Sequence, residues 1–599
     1  MKCSLLHGAA GAFVLALMQS ALAANYTNYR YHWTNATGDG DFNNEANWEE
    51  ESYVLTSKIS PTYLFPDKGV VNGTVKLTDD FAVNHLAFTN ESGQATATLD
   101  LQGHQITVSE SYRFQNASPL VLSNGAFKVS SIYMHGYWGR PDVELMLVRF
   151  EGMSFDVPEA SKSTYAHFMG PRQLYFKDSY VTNFPSRTMV GSDAEVTYDN
   201  CIYSKSTVKM HFGPTDGMTN TTVRFSNGST VDRWDYQYSF ECKPSAVNNR
   251  IIVDSGAYLP FIGRSSATIF TLDGTNNVFA ISNACANGFI SLAGVSNTLI
   301  FSHAAYTNDA SAYGIRFDKS IGNRMLFDEP QDLFRLSYLD FAAANTVDPL
   351  IELADNTVIS NRSFNFRPYD ASGMVVRLGT NSILRIGYPM MESDKGGLPS
   401  NALYEVNADA KLLVDTTYTR SGFCGNDLIL RLNNGMLNFT HNNAYLVISA
   451  GTRVELNGDR ARLICAGYTT FGKAYDAYPD LIPVVSFRPG PTGYGGEAPF
   501  RVRNSGYNTM ATNTVFEVNL KDYIRDKTTR HHRIPLITGK PSEWDTKNKV
   551  AVPDLDRLTE TLIVKPVGHT KNERLVYDAD LNAICLDFDL IVGLMILVR

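Results

Sequence analysis

From about Gly73 onward the chain alternates apolar and polar residues over short runs that are broken by Gly, Asn, Asp and Ser. Almost no segment carries the 3.6-residue apolar period of a helix, so the pattern predicts short strands. Leu99-Asp100-Leu101-Gln102-Gly103-His104-Gln105-Ile106-Thr107-Val108 is representative, with two alternating runs on either side of a Gly-centred turn. The same texture returns at Leu120-Val121-Leu122 and Ala126-Phe127-Lys128-Val129.

In the middle of the chain the runs repeat. Asn249-Arg250-Ile251-Ile252-Val253-Asp254 aligns with Asn276-Asn277-Val278-Phe279-Ala280-Ile281, then with Asn297-Thr298-Leu299-Ile300-Phe301-Ser302, and more loosely with Asn323-Arg324-Met325-Leu326-Phe327-Asp328. The offsets are 27, 21 and 26 residues. A turn plus a short strand at that spacing predicts the coils of an all-β, right-handed parallel β-helix (β-solenoid), each coil burying its apolar face against its neighbours. Asn suits the strand entry, because it tolerates left-handed backbone and can bond to the next coil. A propeller repeats at ~40–50 residues, and a sandwich array needs more Asn-Gly hairpin turns than this chain has.

The ends differ from the middle. Residues 1–23 contain Lys2, an apolar run from Ala9 to Met18 and the small-x-small ending Ala21-Leu22-Ala23, the pattern of a secretory signal peptide. Trp33 to Trp48 encloses a Gly/Asp/Asn turn, which predicts an N-terminal cap over 24–60 that shields the open edge of the sheet. The solenoid is expected over 61–520. Ser486 to Ser505, rich in Gly and Pro, is expected to be a loop, and 521–599 reads as a non-repetitive C-terminal β cap. The apolar tail Leu590 to Val598 is too short for a transmembrane helix.

Charged residues make up 19% of the chain, alongside 33 Phe and 31 Tyr. A formal charge of −9 without a basic run argues against nucleic acid, whose phosphates need clustered Lys and Arg. A polysaccharide or cell-surface glycan remains open as a partner, and export predicts a secreted or cell-surface location. Past residue 23 the cysteines are Cys201, Cys242, Cys285, Cys424, Cys465 and Cys585, with three gaps of 41, 43 and 41 residues. With coils of 21 to 27 residues, such gaps place thiols about two coils apart, ~9.5 Å, beyond disulfide reach, and predict buried thiols. A coil of about 41 residues would reverse that.

The Trp-turn-Asn-Trp element, the Leu-Asp-Leu-x-Gly-x-x-Ile-x-Val strand pair and the Asn-headed repeats resemble bacterial secreted β-solenoid proteins of the autotransporter-passenger-like, β-strand-repeat type. The likeness spreads over residues 30 to 590 as texture, without a catalytic motif. It implies a surface or extracellular component, although the alternating strands of a C-terminal membrane barrel are missing.

Several residues are candidates for chemistry. Asp39, Asp41, Asn43, Glu45, Asn47 and Glu50 fall at positions 1, 3, 5, 7, 9 and 12 of a twelve-residue loop, the spacing by which oxygens surround Ca²⁺ in an EF-hand. Position 6 is Asn44 where an EF-hand has Gly, no helices flank the loop, and a polar surface turn is the alternative. Trp234, Tyr236 and Tyr238 share one face of an expected strand; Tyr133, Tyr137 and Trp138, with His135 and Arg140, sit in a Gly-bounded loop. Either group could stack on sugar rings, or be an internal aromatic stack. Asp254, Asp273, Asp318 and Asp328, or Arg488, Arg501 and Arg503, are the groups a polysaccharide lyase or glycoside hydrolase would use. Nothing in their spacing singles out a pair. His531-His532 is adjacent, which points the two rings to opposite faces of a strand and disfavours a shared metal. The leading expectation is a non-enzymatic protein for adhesion or glycan contact. A β-helix polysaccharide lyase or hydrolase, or a structural matrix component, are the alternatives.

Overall fold

The computed structural model describes the chain from Tyr26 to Ile591 with interruptions, the longest at 136–144, 157–166, 261–269, 390–399, 472–481 and 540–554. The described residues are nearly all β, built as a parallel β-solenoid with a cap at each end. Contacts divide the chain into two units, Met1–Val208 and Lys209–Arg599.

The first unit begins with the cap foreseen around the tryptophan pair. Tyr26–Trp33 and Trp48–Leu55 form an antiparallel hairpin whose closing pair is Trp33 and Trp48. The other edge of Tyr26–Trp33 starts the parallel ladder, pairing in turn with Thr62–Phe65, Phe81–Phe88 and Gln105–Phe114. Trp33 and Phe42 are fully buried and pack with Trp48 and Phe65 at ring distances of 5.0 to 5.7 Å. The free edge, Trp48–Leu55, carries Glu49, Glu50 and Glu51, and charge on an exposed edge opposes pairing with another chain. Inside, Val75, Leu99, Leu122, Phe150, Phe176 and Tyr198 lie in one register and are all buried. The rings of Phe150 and Phe176 stack at 5.0 Å and those of Phe176 and Tyr198 at 5.1 Å.

In the second unit the repeating coils contribute a first-face strand, a bend, a second-face strand and then a third-face strand. The first face runs from Thr222–Ser226 through Arg250–Asp254, Val278–Ser282 and Thr298–Ser302 to Val515–Asn519 and Ile563–Lys565. Alternation along each strand decides what is buried. Ile251, Phe279, Leu299, Met325, Ile351 and Val376 stack in one inner column, each side chain worth about 1.5–3 kcal/mol of burial. The bend after the first face recurs as one left-handed residue followed by a small buried one: Asn283 (φ 48°) then Ala284, His303 (φ 45°) then Ala304, Asp409 (φ 58°) then Ala410, Asn434 (φ 55°) then Gly435. A Cβ on Gly435 would stand 2.4 Å from the carbonyl oxygen of Val406, so only Gly fits there.

The Asn-headed repeat is real, but its register differs by one residue from the sequence alignment. Arg250 pairs with Val278 and Val278 with Thr298, so the first two offsets are 28 and 20. The stacked residue is Asn277, while Asn276 is the left-handed residue before it (φ 55°). The coils regain the aligned offset of 27 beyond the bend, where Tyr258 pairs with Cys285, because Ser255-Gly256 spans a turn that Asn283 makes alone. Asn249, Asn277, Asn297 and Asn323 form a buried ladder. Each backbone N–H donates to the next side-chain oxygen: Thr221 to Asn249 at 3.0 Å, Asn249 to Asn277 at 2.9 Å, Asn277 to Asn297 and Asn297 to Asn323 at 2.8 Å. In the next coil Pro349 takes the position, and the column continues with Met374 and Ala402.

The Gly/Pro-rich stretch also differs from expectation. Ser486 lies inside the strand Val484–Arg488, and Phe500–Val502 is a further strand. Between them Tyr494 is fully buried and donates its hydroxyl to the carbonyl of Leu456 at 2.7 Å. The second unit closes with an antiparallel cap in which Ala583–Ile591 lies between His531–Thr538 and His569–Asp578. The helix Leu555–Glu560 is short, and among the described residues no helix is long and apolar enough to cross a membrane.

Candidate functional site

The outward positions of the first face carry a charged ladder that no local motif announces. Register places Glu352, Arg377, Glu405, Arg431, Glu455, Ser486 and Glu517 in one column, one residue per coil. Parallel strands stack ~4.8 Å apart, so opposite charges in neighbouring coils meet directly. Arg377 reaches Glu405 at 2.9 Å and Glu352 at 3.7 Å; Arg431 reaches Glu455 at 2.6 Å and Glu405 at 3.7 Å. Arg453, from the next column, donates to Glu455 at 2.9 Å and to Glu517 at 2.5 Å. The Arg453 hydrogen bond holds the Glu517 carboxyl below its ordinary range against the opposing effect of burial. Hydrogen bonds to Glu405, Glu455 and Glu517 raise Arg377, Arg431 and Arg453 in turn.

Beside the charges runs an amide ladder. Asn457 donates to Asn433 at 3.0 Å and Asn433 to Asn407 at 3.2 Å. The two columns line a polar groove of about 420 Å³ whose rim includes Arg488, Asn519 and Lys565. A second groove, of about 490 Å³, lies along the bend, where Arg460 holds both oxygens of Asp409 at 2.6 and 2.8 Å above Lys411 and Met436.

The sequence-derived candidates are scattered by comparison. Asp254 and Asp328 share a column, three strands apart, or ~14 Å, and Asp273 and Asp318 share another, two strands or ~9.6 Å apart. Asp254 is ion-paired to Arg224, and Asp273 accepts from the N–H of Gly274 at 2.7 Å. Burial first, and then the charges of Glu329 and Glu352, raise the pKa of Asp328. Arg488 pairs with Asp522 and Arg501 with Glu497; Arg503 lies outside the described residues.

Trp234, Tyr236, Tyr238, Tyr137 and Trp138 lie outside the described residues, and Tyr133 is described only as backbone in the strand Tyr133–His135. In the opening turn the candidate calcium oxygens accept hydrogen bonds from the loop itself. Asp39 takes the Asp41 N–H at 3.0 Å and the amides of Asn47 at 2.6 Å and Asn44 at 2.7 Å. These bonds hold its carboxyl well below the usual range. Asp41 accepts from Asn43 N–H and Thr78 Oγ1, and Asn43 from the N–H groups of Thr78 and Asp79. Glu50 accepts from the Tyr31 hydroxyl at 3.0 Å, while Glu45 opens a short 3₁₀ turn. Among the described residues no cluster of three His, Cys, Asp or Glu could hold a metal ion. His531 and His532 diverge as expected: the first bridges Asp587 at 2.9 Å and Asp589 at 3.2 Å, and the second packs against Phe588.

No disulfide joins the described cysteines, yet the spacing argument fails in detail. Cys242 is on a third-face strand and Cys285 on a second-face strand, so the gap of 43 residues does not count coils along one column. Cys285 is exposed, against the expectation of buried thiols; Cys201, Cys242, Cys465 and Cys585 are buried. Cys424 lies outside the described residues.

Fold and site together define a capped β-solenoid whose first face presents paired charges and amides in register. No family model matches the chain, and no curated protein matches it either.

Proposed function

We propose that the protein is a secreted or surface-exposed, non-enzymatic β-solenoid of the bacterial, β-strand-repeat type, which contacts a glycan through its first face. The carrying observation is the ladder itself: Glu352, Glu405, Glu455 and Glu517 each lie within 4 Å of an arginine. Carboxylates engaged in that way by guanidinium groups lack the open approach to a substrate proton that general acid–base catalysis needs. A rigid array of guanidinium, carboxylate and amide groups at a regular rise instead offers many fixed donors and acceptors to a hydroxylated polymer. The signal-like residues 1–23 support export, which N-terminal sequencing of the mature protein tests by a start at Ala24.

One observation favours a glycoside hydrolase as the second reading, namely the raised carboxyl of Asp328 beside Glu352 on the same face. A panel of polysaccharides, assayed for binding and for release of reducing or unsaturated ends, separates the two. Binding without cleavage is the expected result. Cleavage that disappears in Asp328→Asn replaces this reading with the enzymatic one.

A further inference from the structure

The alternation of the ladder breaks once. Between Glu455 and Glu517, where the pattern calls for a cation, the column carries Ser486, only 8% exposed beneath its longer neighbours. Arg453 compensates from the side, spanning two strands, ~9.6 Å, to reach Glu517. The polar groove opens at this gap, with Glu455, Asn457, Arg488 and Asn519 around it.

We propose that this gap is a binding subsite for a neutral, hydroxyl-rich sugar unit; the inference rests on the glycan-contact reading above and names its place and chemical class. Size comes first: a serine in a column of Arg and Glu removes most of one long side chain, and leaves space whose walls are all polar. Charge decides the class. Arg431 and Arg453 are bound to Glu455, Arg453 also to Glu517, and Arg488 to Asp522, while Lys565 adds to the field that lowers Glu517. An anionic sugar would have to displace one of these carboxylates. A neutral polyol needs only what the pairs leave unused, because a guanidinium has five N–H donors and a carboxylate about four lone-pair sites. The amides of Asn457 and Asn519 supply a donor and an acceptor each at the groove wall.

The test is titration calorimetry of the full-length mature protein with neutral xylo-, manno- and malto-hexaose and with a galacturonate hexamer, repeated on S486R and N457A. S486R completes the ladder and fills the gap. The expected result is binding of a neutral hexaose that falls at least tenfold in S486R, with a Tm equal to or above wild type, and that also falls in N457A. Wild-type binding that S486R and N457A leave unchanged, or a preference for the galacturonate, overturns the subsite while glycan contact stands. Binding of none of the four sugars, with a polysaccharide panel also negative, overturns both.

Discussion

The side-chain oxygen of Asn277 accepts two hydrogen bonds from Asn249, one from its backbone N–H and one from its side-chain amide, each at 2.9 Å. Asn277 in turn donates its own amide to the carbonyls of Ala246 at 3.0 Å and Asp273 at 2.7 Å, so one fully buried side chain ties two neighbouring coils together. Replacing it with Leu leaves buried donors and acceptors unpaired, each at ~1–3 kcal/mol. Asn277→Leu is therefore expected to lower unfolding free energy by about 2–4 kcal/mol in urea titration. Asn276→Gly, one residue away at a left-handed position, should change it by under about 1 kcal/mol. Equal effects at the two positions would contradict the register.

Gly435 and Gly256 separate steric from conformational need. At Gly435 an added Cβ meets the carbonyl oxygens of Val406 at 2.4 Å and Asn407 at 2.7 Å, whereas at Gly256 (φ 78°) nothing lies within 4 Å. Gly435→Ala is expected to cost about 1–3 kcal/mol through displaced backbone. Gly256→Ala carries only the left-handed penalty, about 1–2 kcal/mol, so its thermal midpoint should fall no further than that of Gly435→Ala.

The Arg453–Glu517 pair predicts a pH dependence of definite sign. Glu517 has a depressed folded-state pKa, so its contribution is fully present above its unfolded value, about 4.3, and is lost as pH falls through the folded value. Arg453→Gln should therefore be less stable than wild type at pH 7. The difference should shrink as pH falls below the unfolded value and on through the lower folded one, where Glu517 takes up its proton in the wild type as well. Urea midpoints at pH 7 and pH 3 check this; a gap that widens in acid refutes it.

Thiol reactivity should follow burial rather than spacing. Burial pushes the Cys201 thiol up to about 11 and Cys585 up to about 12, which suppresses the reactive thiolate. Of the five described cysteines, Cys285 is expected to react with a maleimide first in native protein, and Cys285→Ser should remove that fast phase. Peptide mapping without reduction should find no disulfide at these five cysteines.

The opening turn is expected to owe its order to hydrogen bonds. Asp39→Ala removes the acceptor shared by Asp41, Asn44 and Asn47 and should lower the Tm. EDTA should leave the wild-type Tm unchanged. A Tm that falls in EDTA and recovers with Ca²⁺ would restore the calcium reading of Asp39, Asp41, Asn43, Glu45 and Glu50.

Much of the fold was legible because a solenoid repeats its physics. Alternating residues such as Ile251 and Val253 can only be strand positions with one buried face, and Asn at the strand entry marked the coils of the middle of the chain. The slip at Asn276-Asn277 shows the limit: two adjacent asparagines satisfy the same pattern, and only the bend between Asp254 and Tyr258 reveals which one stacks. The candidate site was less legible. Glu405, Arg431 and Glu455 are 26 and 24 residues apart and look like ordinary strand charges. A search for opposite charges at the coil offset could have found them once the register was right.

By itself, the sequence determined the strand class, the parallel coiling, the cap around Trp33 and Trp48 and the interior columns, because burial of alternate side chains is a local constraint. Tertiary structure alone decided which charges meet, which asparagine is buried and where the ladder breaks at Ser486. Those are contacts between coils, and a shift of one residue in register turns a buried column outward.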